Sequence, residues 1–260
     1  MLRILWNGRS AMMAQQEKLD CISNNISNVK TEGYKREEVT FQDLVYETLD
    51  RRGYPTNSGE DKNLISGTGV KAGRWIRDME KQGDLVNTGT NTDLAIDGLG
   101  FFRVVNSSGQ YRYERSGNFS VDTNGDIVDK MGNKLDIQFY GEKTKFTEDS
   151  FAVRQDGTVF VQEYSNSGSK TREVGRINIY NAVGDDAFIS VGENLYEAVE
   201  GVNPTPIQAD ILSGYLEGSN VDMGKEMTDM LMSQRAFEFG SRALKAADEM
   251  WGMVNSLKGR

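Results

Sequence analysis

The sequence predicts an α+β fold: long N- and C-terminal helices forming a paired coiled-coil-like layer, with a mainly antiparallel β domain between them. Three observations carry this. Apolar residues recur at heptad spacing near the start of the chain, and they recur in several parallel heptad rows near its end. Between the two, the period drops to two residues, with turn signals at short intervals.

At the N-terminus, Leu5, Gly8, Met12, Gln15, Leu19, Ile22, Ile26 and Val29 step alternately by three and four. That is an a/d seam, with Gly8 and Gln15 as its weak members. Towards the end of this helix come three asparagines, Asn24, Asn25 and Asn28. Asparagine is a poor interior residue because its amide competes for backbone hydrogen bonds. An amide both donates and accepts, so these three, with Asn220, are candidates for polar contacts at helix ends and between subunits. Gly33 is the expected left-handed residue that ends the helix and turns the chain outward.

Residues 1–45 therefore form the first segment, and 46–67 a polar, turn-rich extended loop. Residues 68–215 are predicted to be β-rich. The runs "GFFRVV" and "YRYER" flank a turn, and Asn124-Gly125 and Asp156-Gly157 each sit between strand-like runs, a strong hairpin signal. The last segment, 216–260, carries the second helix from about Met223 to Leu257. Met230, Phe237, Leu244 and Trp251 form one heptad row. Rows through Met232, Phe239, Ala246 and Met253, through Ala236, Ala243, Met250 and Leu257, and through Ser233, Gly240, Ala247 and Val254 accompany it. A stripe that wide exceeds what one partner helix covers, so contact with at least two neighbours is expected. The two helices would be about 40 Å and about 50 Å long. That mismatch leaves apolar surface uncovered in a monomer and points to self-association. Met12, Leu19, Ile22, Ile26, Met230, Phe237, Leu244 and Trp251 are the candidate self-assembly seam.

Composition narrows function by exclusion. A net charge of −9 disfavours nucleic acid or an anionic membrane as partner. The basic pairs Lys35-Arg36 and Arg51-Arg52 read as solvated charge. No apolar run is long enough for an integral membrane segment. The N-terminus has no apolar core of a secretory signal, so if the protein leaves the cytoplasm it is expected to do so without a cleaved signal peptide. There is no histidine and only one cysteine, Cys21. This removes triad chemistry and cysteine-based zinc or iron–sulfur sites, and neither catalytic residues, metal nor cofactor is expected. "GTGVKAG" lacks the spacing and helix of a dinucleotide loop. "DTNGD" places its glycine too early for a calcium loop and is explained by a hairpin turn.

Four ordered blocks carry a family resemblance. "ISNNISNVKTEGYKREEVTF" resembles the N-terminal motif of flagellar rod and hook proteins. "GDLVNTGTNTDLAIDGLGFFRVV" is similar to their central Asp-Leu-Ala-Ile-x-Gly-x-Gly-Phe-Phe signature. "YRYERSGNF" is similar to the Tyr-x-Arg-x-Gly-x-Phe block that follows, and "GYLEGSNVDMGKEMTDMLMSQRAFEF" to their C-terminal motif. The compact middle and the insertion from Tyr46 to Ser66 are most like the distal rod type. The proximal rod type and a short hook-type axial protein are the alternatives.

The resemblance implies a structural axial component of the bacterial flagellum rather than an enzyme. It would pass the flagellar type III export apparatus unfolded and assemble helically into the distal rod that carries torque from motor to hook. The implied partners are other copies of itself, proximal rod proteins, and hook or hook–rod junction proteins; the implied location is the extracytoplasmic basal body. Tyr46, Tyr54 and Leu64 would belong to an inter-subunit brace. A reading of another class is a stand-alone surface or glycan-binding β-module, with Tyr111 and Tyr113 as its clustered aromatics.

Overall fold

Helix α1 (Leu2–Ser27) follows the N-terminal heptad pattern, and helix α2 (Met223–Lys258) the C-terminal one. Asp222 caps α2: its side-chain oxygen accepts from the backbone N–H groups of Gly224 at 2.9 Å and Lys225 at 3.2 Å, satisfying two of the helix's unpaired donors. This computed structural model describes residues 2–44, 46–48, 65–67, 69–148, 150–165, 168–184 and 187–258. The chain divides into two units. The terminal unit comprises Met1–Ser27, Glu37–Ile76 and Asp222–Arg260, and the middle unit Asn28–Arg36 and Arg77–Val221.

In the terminal unit α1 packs against α2. A Cβ on Gly8 would lie 3.1 Å from Leu244 Cδ2, and one on Gly240 would lie 2.7 Å from Met12 Cγ. Large residues thus sit over glycines reciprocally, and Gly8, weak by heptad reasoning, is a close-contact position. Further along, Asn25 of α1 reaches Glu226 of α2. Residue numbers rise on one helix as they fall on the other, so the two run antiparallel. The strand Glu37–Asp43 also packs against α1 and pairs with the strand Val70–Arg77. The strands Tyr46–Thr48 and Ile65–Gly67 form a short antiparallel ladder.

The middle unit holds a nine-stranded sheet and a four-stranded one. The hairpins expected from the turn signals are present. Phe101–Val105 pairs antiparallel with Tyr111–Glu114, Ser120–Val121 with Ile127–Val128, and Phe151–Val153 with Thr158–Ser165. Adjacent residues of a strand face opposite sides, which explains the double phenylalanine. Phe102 and Val104 enter the main core with Phe151 and Val159, whereas Phe101 joins Tyr113, Tyr180 and Tyr196 in a second cluster. Two short pairs bring the C-terminal end of this unit back to its beginning: Asp210–Ser213 with Leu94–Asp97, and Tyr215–Glu217 with Leu85–Asn87.

Two local expectations are corrected. Helix α1 ends at Ser27, six residues before Gly33, where a turn begins with Thr31 N–H donating to Asn28 O at 3.1 Å. Gly33 is left-handed, φ 66°, but for another reason: a Cβ there would stand 2.5 Å from the backbone nitrogen of Ser116. Lys35, read as solvated, is buried.

Candidate assembly surface and a buried clasp

The asparagines find partners within the chain. Asn25 is fully buried; its amide donates to Glu37 O at 2.9 Å and to Glu226 Oε2 at 3.1 Å, and its oxygen accepts from Glu37 N–H at 2.9 Å. It acts as a peptide group would at a strand edge while also holding α2. Asn24 donates to Glu37 Oε2 at 3.1 Å, and Cys21 Sγ lies 3.3 Å from Glu37 O. In the middle unit, Asn28 Oδ1 accepts from Thr31 Oγ1 at 3.1 Å. The expectation of contacts between subunits is thus replaced, for Asn25, by a junction of α1, the following strand and α2.

Asn220 is a second such junction. Its amide nitrogen donates to Asp78 O at 3.0 Å and Lys81 O at 2.9 Å, and its oxygen accepts from Arg36 N–H at 2.6 Å. Beside it lies an ionic cluster that sequence reasoning missed. Glu217 Oε1 accepts from Lys35 Nζ at 2.9 Å and from Gly83 N–H at 2.9 Å, and Glu217 Oε2 accepts from Arg115 Nε at 2.5 Å. Lys35 and Glu217 are each 1% exposed and Arg115 2%. Lys35 Nζ also donates to Lys81 O at 2.8 Å, and the Arg115 guanidinium donates to the carbonyls of Gly98, Gly100 and Ile96. Burial and the neighbouring Arg115 hold the Lys35 ammonium below its usual pKa, against the pull of Glu217. The signal was present: each charge sits inside a block that carries the family resemblance.

The candidate seam divides. Ile22 is buried and Met12, Leu19, Ile26, Met230, Phe237 and Leu244 are half-buried, with Met12 and Leu244 in the α1–α2 contact of a single chain. The row most deeply covered on α2 is instead Glu226, Ser233 and Ala247. Trp251 is exposed, as is every residue from 251 to 257. In the antiparallel register Leu2, the first described residue of α1, falls opposite about residue 250. A second apolar face of α2 is open along its length through Met232, Phe239 (67% exposed), Met250, Met253 and Leu257. The brace residues Tyr54 and Leu64 lie outside the described residues, and Tyr46 is described only as the first residue of its short strand.

Two other expectations meet the geometry. Tyr113 is buried, and Tyr111 has the Arg103 guanidinium 4.4 Å from its ring centre, with Arg103 also 4.0 Å over Tyr180. The pair is not the open aromatic platform that a glycan site would need. Among the described residues, no helix is long and apolar enough to cross a membrane.

Comparison with known proteins decides the family. Residues 5–35 match the family model for flagella basal body rod proteins. Residues 95–161 match the flagellar hook protein FlgE/F/G D1 domain, and 212–257 match the flagellar basal body rod FlgEFG protein C-terminal model. The flagellar basal-body rod protein FlgG of Borreliella burgdorferi is 34% identical over 99% of this chain and 99% of its own length. That of Bacillus subtilis is 35% identical over 99% of this chain and its own full length. The chain belongs to the flagellar basal-body rod family. A hook-basal body complex protein of Bacillus subtilis, FlhP, is more distant at 26% identity over the same extent. Each of the three matched rod-family regions contributes one charge to the buried cluster: Lys35, Arg115 and Glu217 respectively.

Proposed function

We propose that this protein is a structural subunit of the distal flagellar rod, in which copies join through the second apolar face of α2. The chain is FlgG-like over its whole length and belongs to a structural family, not an enzymatic one. The observation that carries the contact is the open face through Met232, Phe239, Met250, Met253 and Leu257, on a helix whose other side α1 already covers. Burying five such side chains contributes on the order of 10 kcal/mol before ordering costs. Packing of α1 and α2 as a coiled-coil-like pair would give each subunit a stiff rib. Where the open face of α2 meets a different patch on the next copy and the rotation does not close into a ring, identical copies give a helical polymer that can carry torque.

The same reading places proximal rod proteins at one end of the polymer and hook or hook–rod junction proteins at the other. It has the subunit reach them unfolded, through the type III export apparatus and without signal cleavage. A brace between subunits, from the segment around Tyr46, Tyr54 and Leu64, belongs to it as well. The deciding experiment is Phe239→Asp in the full chain, followed by sedimentation and electron microscopy under polymerising conditions. Loss of polymers with the helical circular dichroism unchanged supports the contact. Polymers of normal abundance would overturn it.

A further inference from the structure

We propose that Glu217 is a closing latch, so that the middle unit completes its fold only when the segment 215–220, late in the chain, has joined it. The fold buries two cations, Lys35 and Arg115, and among the described residues Glu217 is the carboxylate that hydrogen-bonds to both. Their other acceptors, at Lys81, Ile96, Gly98 and Gly100, are neutral carbonyls. Carbonyls satisfy hydrogen bonds but do not cancel a net charge in a low-dielectric interior, so either cation without Glu217 is costly to bury.

Sequence distance then makes the latch late. Glu217 is 182 residues from Lys35 and 102 from Arg115, and Lys35 is separated from the rest of the middle unit by residues of the terminal unit. The backbone repeats the dependence. Gly33 N–H donates to Glu217 O at 2.8 Å, and Asn220 N–H to Tyr34 O at 3.3 Å. The strand Asp210–Ser213 covers Leu94–Asp97, where Leu94, Ala95 and Ile96 are wholly buried. Both ends of the middle unit must therefore be present before its first-made hairpins can settle. In a chain that travels unfolded, as proposed above, this would hold off premature folding until little remains to emerge. The latch itself does not depend on that reading.

Hydrogen exchange on the full-length chain tests it. Glu217→Gln keeps the side chain's shape and removes its charge. Amide exchange across 94–97 and 210–217 should accelerate about a hundredfold or more. Adding Lys35→Met to that variant removes one stranded cation and should recover at least about tenfold of the protection. Pulse-labelled refolding of the unaltered chain should show the hairpin of Phe101–Val105 and Tyr111–Glu114 gaining full protection in the same phase as Leu216. The latch is overturned if Glu217→Gln exchanges like the unaltered chain. It is equally overturned if Lys35→Met recovers nothing, or if the hairpin is fully protected in an earlier phase. All three readouts are independent of polymerisation, so failure here is distinct from failure of the Phe239→Asp test.

Discussion

Single side chains in this protein take roles that their residue type alone does not announce. Asn25 is a poor helix former, yet its amide supplies both groups that pair with Glu37 and a donor to Glu226. Replacing it by alanine removes three buried hydrogen bonds, and should cost about 2–4 kcal/mol of terminal-unit stability; denaturant unfolding followed by helical circular dichroism reads this directly. Glu114 is the opposite case, a buried carboxyl whose Oε1 has no hydrogen-bond partner among the described residues. Burial, and then the nearby Asp129, push its pKa well above the ordinary 4.5. The folded chain therefore keeps a proton that the unfolded chain has released. Its effect is to make stability fall as pH rises from about 4.5 towards the raised value, and to leave the penalty in full above it. Glu114→Gln should flatten that slope, and so be more stable than the unaltered protein at pH 8 but not at pH 4. Equal pH profiles by thermal unfolding would refute it. The asparagine cluster was legible as a polar anomaly in a helix. Its partners were not, because Glu37 and Glu226 reach it only through chain reversal and a contact across 201 residues.

For the helices, periodicity told which residues are apolar together but not which row meets which neighbour. The heptad rows of α2 are real, and the helix is 36 residues long. Heptad reasoning favoured the row through Phe237 for contact between subunits, whereas the structure half-buries Phe237 within one chain and leaves Phe239 open. Glycine decides this. With no side chain at Gly8 and Gly240, Leu244 and Met12 can approach closely, and the α1 contact falls on that side of α2. Two variants separate the faces. Phe237→Asp should lower the stability of the isolated chain by about 2–4 kcal/mol, because a charge enters a half-buried site. Phe239→Asp should change monomer stability by less than about 0.5 kcal/mol and act on assembly alone. Gly240→Leu should separate the helices and cost about 1–3 kcal/mol through overpacking, read by the same unfolding curves. If the two phenylalanine variants behaved alike in the monomer, the division of faces would be wrong.

Over the whole molecule, each unit is closed by segments far apart in the chain: α1 against α2 in the terminal unit, and Lys35 and Arg115 on Glu217 in the middle unit. In the turns of α2 beyond about residue 250, Trp251, Met253, Val254 and Leu257 are exposed. Ending the chain after Met250 should leave the unfolding midpoint of the monomer nearly unchanged while raising the concentration needed for polymerisation at least tenfold, measured by sedimentation. An unchanged polymerisation threshold would exclude this tip from the contact. Family membership and the α+β layout were both legible from the sequence, because they rest on local signals: heptad periods, Asn-Gly and Asp-Gly turns, and four short blocks in order.

The sequence by itself determined where the helices and hairpins lie, since helix period, strand period and turn chemistry act over a few residues. Only the tertiary structure decided that Lys35 and Arg115 share Glu217, that Asn25 and Asn220 are junctions, and that α2 keeps one face covered and another open. Apart from the bonds between Asn25 and Glu37, which are 12 residues apart, those outcomes rest on pairs a hundred or more residues apart and on the absence of side chains at Gly8 and Gly240. A short-range pattern carries no record of either.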